Sequence, residues 1–149
     1  MKSVVSFLAL LVAAILAGCS SYHAAVMPGR DLHACRVFFV QSNLNDDRGV
    51  ASAIARSLRA RGFEVTQGPL TMLPTNAEVI VMYDDRWTWD MKDHMTALRI
   101  GVWDADRRTQ IGYANFEGAA ALNATAADIV ERLMVELLGP ASPRPAPAE

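Results

Sequence analysis

Val37-Phe38-Phe39-Val40 is a continuous apolar run, the pattern of a strand buried on both faces. The next twenty-five residues narrow the fold sharply. Asp46 and Asp47 offer N-cap chemistry. Val50, Ile54 and Leu58 then recur every four residues, which places them on one helical face. Arg56, Arg59 and Arg61 fall off that stripe, and their charge suits the carboxyl end of a helix. Gly62 stands where a helix is left through positive φ. Residues 63–66 read as a second short strand, reached by a right-handed crossover and therefore parallel to the first.

The remaining pattern extends this unit. Residues 67–76 contain Gly68, Pro69 and Pro74 and read as a loop. Strands are expected at 78–87, 95–103 and 110–116, the last two joined by the polar turn Asp104-Ala105-Asp106-Arg107-Arg108-Thr109. Thr125 with Asp128 resembles a capping box, and Ile129, Val130, Leu133 and Leu137 form the stripe of a second helix that Gly139-Pro140 ends. The order is β-α-β-β-β-β-α. The expected fold is an α+β two-layer sandwich over residues 35–139: a five-stranded mixed sheet, in order 2-1-3-4-5, with both helices on one face. Two helices cover one face of such a sheet and leave the other open. Prolines at 140, 143, 145 and 147 make 140–149 a disordered or polyproline-like tail.

A chain of 149 residues, 52% apolar, holds one such domain, and part of the apolar excess lies at its start. After Lys2, residues 4–16 are apolar apart from Ser6. This run falls short of the ~20 residues a membrane-crossing helix needs and fits a signal peptide. Leu16-Ala17-Gly18-Cys19 resembles the bacterial lipobox. That resemblance implies removal of residues 1–18 and acylation of Cys19 as the first mature residue. The protein would then be bound to the bilayer by its lipid at ~0.8 kcal/mol per buried CH₂. Ser20, where an Asp would favour the inner membrane, implies the outer membrane, facing the periplasm. The mature chain would have 131 residues and a formal charge of −3. It is held by acyl chains rather than a basic patch, and the low charge excludes nucleic acid as a partner. Residues 20–34 show no periodicity, so 19–34 reads as a lipidated tether spanning roughly 50 Å. With Cys19 committed to lipid, Cys35 has no partner in the chain and is expected as a partly buried free thiol. Asn123-Ala124-Thr125 has the form of a glycosylation sequon, which the bacterial lipobox outweighs.

The most unusual stretch is Tyr83-Asp84-Asp85-Arg86-Trp87-Thr88-Trp89-Asp90-Met91. In an extended strand Tyr83, Asp85, Trp87 and Trp89 share a face. Trp103 and Tyr113, also at odd positions, are candidates to align with them, and Arg99 stands nearby in sequence. Three readings stay open: a core under the helices, a surface for a protein partner, or a small-ligand site. Enzyme motifs are missing: there is no Gly-x-Ser-x-Gly elbow and no phosphate-cradling loop. His23 and His33 fall in the tether, leaving His94 without ligands at metal spacing. Asn43-x-Asn45-x-Asp47 begins like a calcium loop, but Arg48 stands where Gly is required and Ile54 where the bidentate Glu belongs. Asp84 and Asp85 point to opposite faces of a strand. No catalytic residue, metal or cofactor is expected.

The strand, the helix ending in Arg-Gly-Phe, the Tyr83-x-Asp85-x-Trp87-x-Trp89-Asp90-Met91 motif, Leu98-Arg99-Ile100, the 104–109 turn and the final helix together resemble small uncharacterised bacterial outer-membrane lipoproteins. The resemblance spans about residues 35–138 and implies fold and location, not an activity. In layout the domain is also similar to penicillin-binding-protein activators and lipopolysaccharide-transport lipoproteins, which assemble envelope structures. The expected function is a non-enzymatic binding or scaffold module, anchored in the envelope and docking a protein partner through Tyr83, Asp85, Trp87, Trp89, Arg99 and Trp103. The alternative is a binder of glycans such as peptidoglycan fragments on the same aromatic face.

Overall fold

The computed structural model describes residues 20–118 and 124–141. The expected signal peptide, Cys19, the asparagine of the sequon-like tripeptide and residues 142–149 of the expected tail lie outside them. Strands β1 (Ser21–Val26), β2 (Val37–Gln41), β3 (Glu64–Gly68), β4 (Val79–Asp90), β5 (Lys92–Asp104) and β6 (Gln110–Glu117) form one sheet, and helices α1 (Val50–Ala60) and α2 (Ala126–Leu138) pack on it. The architecture is α+β with a mixed sheet, in order β1-β6-β5-β4-β2-β3. β2 is parallel to both β3 and β4, and the remaining pairs are antiparallel.

The sheet has six strands, not five. Ser21–Val26, expected within a tether, adds antiparallel to β6, with Ser21 opposite Glu117 and Val26 opposite Gly112. Tyr22, Ala24 and Val26 turn inward onto the core. The ring of Tyr22 lies 4.9 Å from that of Phe116, and the Arg132 guanidinium sits 3.9 Å above it. The rest of the supposed tether is also bound down. Met27 donates its N–H to the Ile111 carbonyl, Arg30 pairs with Asp104 at 3.3 Å, and Leu32 is buried in a 3₁₀ turn at Leu32–Ala34. The strand shows little apolar periodicity because small alanines and an edge location need little hydrophobicity.

Both helices share one face. Phe38, Val40, Val65, Val79, Val81, Leu98, Ile100, Ala114 and Phe116 from the sheet meet Val50, Ile54, Leu58, Ile129, Val130, Leu133 and Leu137 in a single core. α1 begins where Asp46 accepts the N–H groups of Val50 (2.9 Å) and Ala51 (2.8 Å), replacing two of the bonds a helix N-terminus lacks. Asp47 takes no part in this cap; it lies exposed beside Arg48. Gly62 has φ +82°, as a helix exit requires. The Thr125–Asp128 capping box is complete in both directions and starts α2. The segment expected as a loop at 67–76 begins instead with the last residues of β3 and includes a 3₁₀ turn at Leu70–Met72.

One buried charge ties the helices together. The Arg61 side chain, 4% exposed, donates to Glu131 at 2.8 Å, to the Gly139 carbonyl at 3.0 Å and to the Ser57 carbonyl at 2.9 Å. Its hydrogen bonds hold the Glu131 carboxyl below the ordinary carboxylate value of 4.5, against the opposing effect of burial. Breaking a buried pair commonly costs about 3–5 kcal/mol. Glu131 is 48% exposed, so water screens the pair and the cost should be lower. Glu131→Gln should destabilise the domain by about 1–2 kcal/mol in urea unfolding at neutral pH. The depressed folded value means that the unfolded chain takes up a proton first, so this stabilisation is lost as pH falls below about 4.5. The deficit of the variant should shrink over that range. Tyr22→Ala should cost about 2 kcal/mol, whereas the same change in a free tether would fall within about 0.5 kcal/mol of wild type.

Candidate functional site

The register between β4 and β5 divides the expected aromatic face in two. Tyr83 stands opposite Ile100 and Asp85 opposite Leu98, whereas Trp103 stands opposite Ile80 and Arg99 opposite Asp84. An odd-numbered residue on β4 therefore shares its face with even-numbered residues on β5. Tyr83, Asp85 and Trp87 lie on the helix side; Arg99 and Trp103 lie on the open side. The six residues do not form one surface, because side-chain direction depends on register and not on parity in the sequence.

Each group has its own surroundings. Tyr83 is core. Its hydroxyl accepts the Asn43 N–H at 3.3 Å and bonds the Asp46 carboxylate, while its carbonyl accepts from Asn43 Nδ2 at 3.2 Å. Burial first, and then the neighbouring carboxylates, push its phenol well above the ordinary value of 10. Asp46 loses solvation, yet the N–H groups of Ala51 and Val50 and the Tyr83 hydroxyl outweigh that and hold it below its ordinary 3.8. This knot fastens the loop after β2 to the middle of the sheet.

Trp87 is half-buried. Its indole N–H donates to Asp85 at 2.5 Å, and the Arg48 guanidinium lies 4.6 Å from its ring centre. Arg48 also pairs with Asp93 across the hairpin at 2.9 Å. Beyond this clamp Trp89 is 74% exposed, and Met91, at φ +60°, is 90% exposed at the hairpin tip. The register shift between Arg86 and Trp87 leaves Thr96 as the extra residue on β5, which restores Met95 to the core side opposite Trp87.

At the clamp opens a cleft of about 850 Å³, lined by Gln41, Asn43, Leu44, Arg48, Leu70, Asp85 and Trp87 among others. A second hollow of about 630 Å³ adjoins it across residues 42–47. Both lie outside the carboxyl ends of parallel strands β2 and β3, the usual place for a ligand crevice in such a sheet. Gln41 Oε1 is buried without a hydrogen-bond partner at the cleft wall. The role of the 42–49 loop was not apparent from sequence, although its position directly after the first strand of the crossover was the available signal.

The open face of the sheet is amphipathic. Phe39, Ile80 and Ala77 form a small buried cluster there, bordered by Leu73, Met82, Trp103 and Ala105. The Trp103 indole lies back along β5: a Cβ added at Gly101 would come within 2.8 Å of its Nε1. Arg99 pairs with Glu117 at 3.1 Å on the exposed surface. Asp84 and Asp85 are on opposite faces. Among the described residues no group of three or more His, Cys, Asp or Glu is placed to hold a metal. His94 contacts the Lys92 carbonyl at 3.1 Å. Cys35 is a free thiol, raised above its ordinary 9.0 by burial and then by Glu78 and Asp104, a shift that disfavours the thiolate.

These features define an α+β domain with one helix-covered face, one open face and a loop-lined crevice. No family model and no curated protein sequence matches the chain. The fold is similar to solved structures. PelC from Paraburkholderia phytofirmans, crystallised as a dodecamer, superposes with a TM-score of 0.58 at 16% identity, covering 85% of this chain and 99% of that one. A Leu-to-Met point variant of PelC, in a second crystal form, matches with the same TM-score and identity. A PDZ domain protein from Parabacteroides distasonis reaches a TM-score of 0.52 at 8% identity over 80% of this chain, which spans only 36% of that protein. At these identities the likeness is one of fold.

The clamp assigns different weights to the two neighbouring tryptophans. A double-mutant cycle on Arg48 and Trp87 should return a coupling of about 0.5–1 kcal/mol, whereas Trp89→Ala should change stability by no more than about 0.5 kcal/mol. Thermal or urea unfolding of the wild type and these variants measures both.

Proposed function

We propose that this chain is a membrane-anchored envelope lipoprotein, held in the outer membrane through acylated Cys19, that works as a non-enzymatic docking or scaffold module. The observation that carries the reading is the helix-free face, where Met82, Trp103 and Tyr113 are partly exposed between charged neighbours. Aromatic anchors with a polar rim are the composition of a protein-docking surface. The lipobox supports the anchor: lipid fixes the location and raises the local concentration of a docking face. PelC, a protein of the same fold, is a dodecamer, which suits a scaffold acting in several copies. Asp85, Trp87 and Trp89, expected on this surface, belong instead to the hairpin and its clamp, so Trp103 and Arg99 become the residues that carry docking.

A photo-reactive amino acid at position 103 in intact cells should yield a discrete crosslinked adduct. The same probe at Arg56, exposed on α1, should not. Equal labelling at the two positions would remove the docking reading.

The crevice favours a second reading. Gln41, Asn43 and Asn45 line it together with Trp87, a composition suited to a sugar ring. Muropeptides should then shift tryptophan emission saturably, and Trp87→Phe should abolish the shift.

A further inference from the structure

The exposed large apolar side chains gather at one end of the sheet. Ser21 stands opposite Glu117, Glu117 opposite Ala97, and Ala97 opposite Arg86, so these four residues form one row across β1, β6, β5 and β4. Past that row the hairpin continues alone to its tip at Met91. β2 and β3 run parallel to β4, so the loops after them open at the same end. Leu44, 98% exposed, stands on the loop after β2, and Leu70 and Met72 come after β3. With Trp89 and Met91, five of the six most exposed large apolar side chains among the described residues occupy this pole; Val135 on α2 is the sixth.

The chain enters the domain at the same pole. Only Ser20 separates Cys19 from β1, so the tether expected to hold the domain off the membrane is a single residue. The two residues of chain from Ser21 to Cys19 can span roughly 7 Å at most. Met91 lies five residues beyond Arg86, roughly 16 Å at ~3.3 Å per residue. With the strands upright on the bilayer, the hairpin tip would reach at least roughly 9 Å deeper than the Cys19 backbone. That is the depth at which interfacial apolar side chains sit, at the boundary of headgroups and acyl chains. Trp favours that layer, and the Lys92 stem is long enough to carry its charge back to the headgroups.

We propose that this pole is a membrane-facing surface, with Leu44, Trp89 and Met91 seated in the headgroup layer of the leaflet that holds the acylated Cys19. The proposal rests on the lipid-anchor reading above and adds a fixed orientation to it. The sheet then stands on end upon the bilayer, with the 104–109 turn and the start of the C-terminal tail at the far pole.

The test uses the full chain expressed in a Gram-negative host and reconstituted in phosphatidylcholine vesicles. An environment-sensitive fluorophore is placed at Met91→Cys or at Asp106→Cys, each with Cys35→Ser. Lipids carrying a headgroup-level quencher should abolish most emission at position 91 and leave position 106 unchanged. Independently, brominated lipid should quench intrinsic tryptophan emission in wild type, and Trp89→Phe should remove that quenching. Protein that incorporates palmitate but is quenched no more at 91 than at 106 overturns the orientation while leaving the anchor intact. Protein without palmitate overturns both. Burial of the label at 91 that depends on protein concentration and not on quencher lipid identifies a second copy as the occupant and also overturns the proposal.

Discussion

The antiparallel register of β4 against β5 is the constraint on which the rest of the molecule depends. By placing Tyr83 opposite Ile100 and Trp103 opposite Ile80, it sends one set of side chains beneath the helices and the other to the open face. A slip of β5 by one residue would turn all of its side chains over, bringing Arg99 and Trp103 beneath the helices and Leu98 and Ile100 into water. Burial of Leu98, Ile100 and Val102 against α1 and α2 fixes the register from one side. The Trp103–Ile80–Phe39 cluster fixes it from the other.

Elements with strong local signals were legible in the chain. The Val37–Val40 run, the four-residue stripe of α1, the capping box of α2 and the polar turn at 104–109 all act through near neighbours. The strand order followed from connection rules, with β1 as the added member. β1 itself was illegible because its inward positions are one tyrosine, one alanine and one valine, and its partner β6 lies some ninety residues away. The candidate surface failed for a related reason. The alternation within β4 was correct, since Tyr83, Asp85 and Trp87 do share a side. Alignment with Arg99 and Trp103 depended on a register that only the opposing packing determines.

The clamp at Trp87 links the fold to the position of the hairpin. Arg48 comes from the loop before α1, Asp85 and Trp87 from β4, and Asp93 from β5. The Asp46–Tyr83 knot holds that loop to the sheet. The two-stranded ribbon beyond Arg86, which lacks other strands for support, is braced at its base on the side facing α1. This gives the tip a defined direction relative to the sheet, a condition that a marginal isolated hairpin does not meet. The open sheet face and the apolar pole thus lie at right angles. A partner bound to the sheet face would not compete with the membrane.

The proposed lipid at Cys19, one residue removed from β1, underlies both the proposed scaffold and its proposed orientation. Intact mass measurement of the protein extracted from membranes decides it most directly. The expected species is a polypeptide beginning at Cys19 and heavier than its sequence by a diacylglyceryl group, with or without a further acyl chain. A mass matching the unmodified chain, with Met1 to Gly18 still attached, would contradict it.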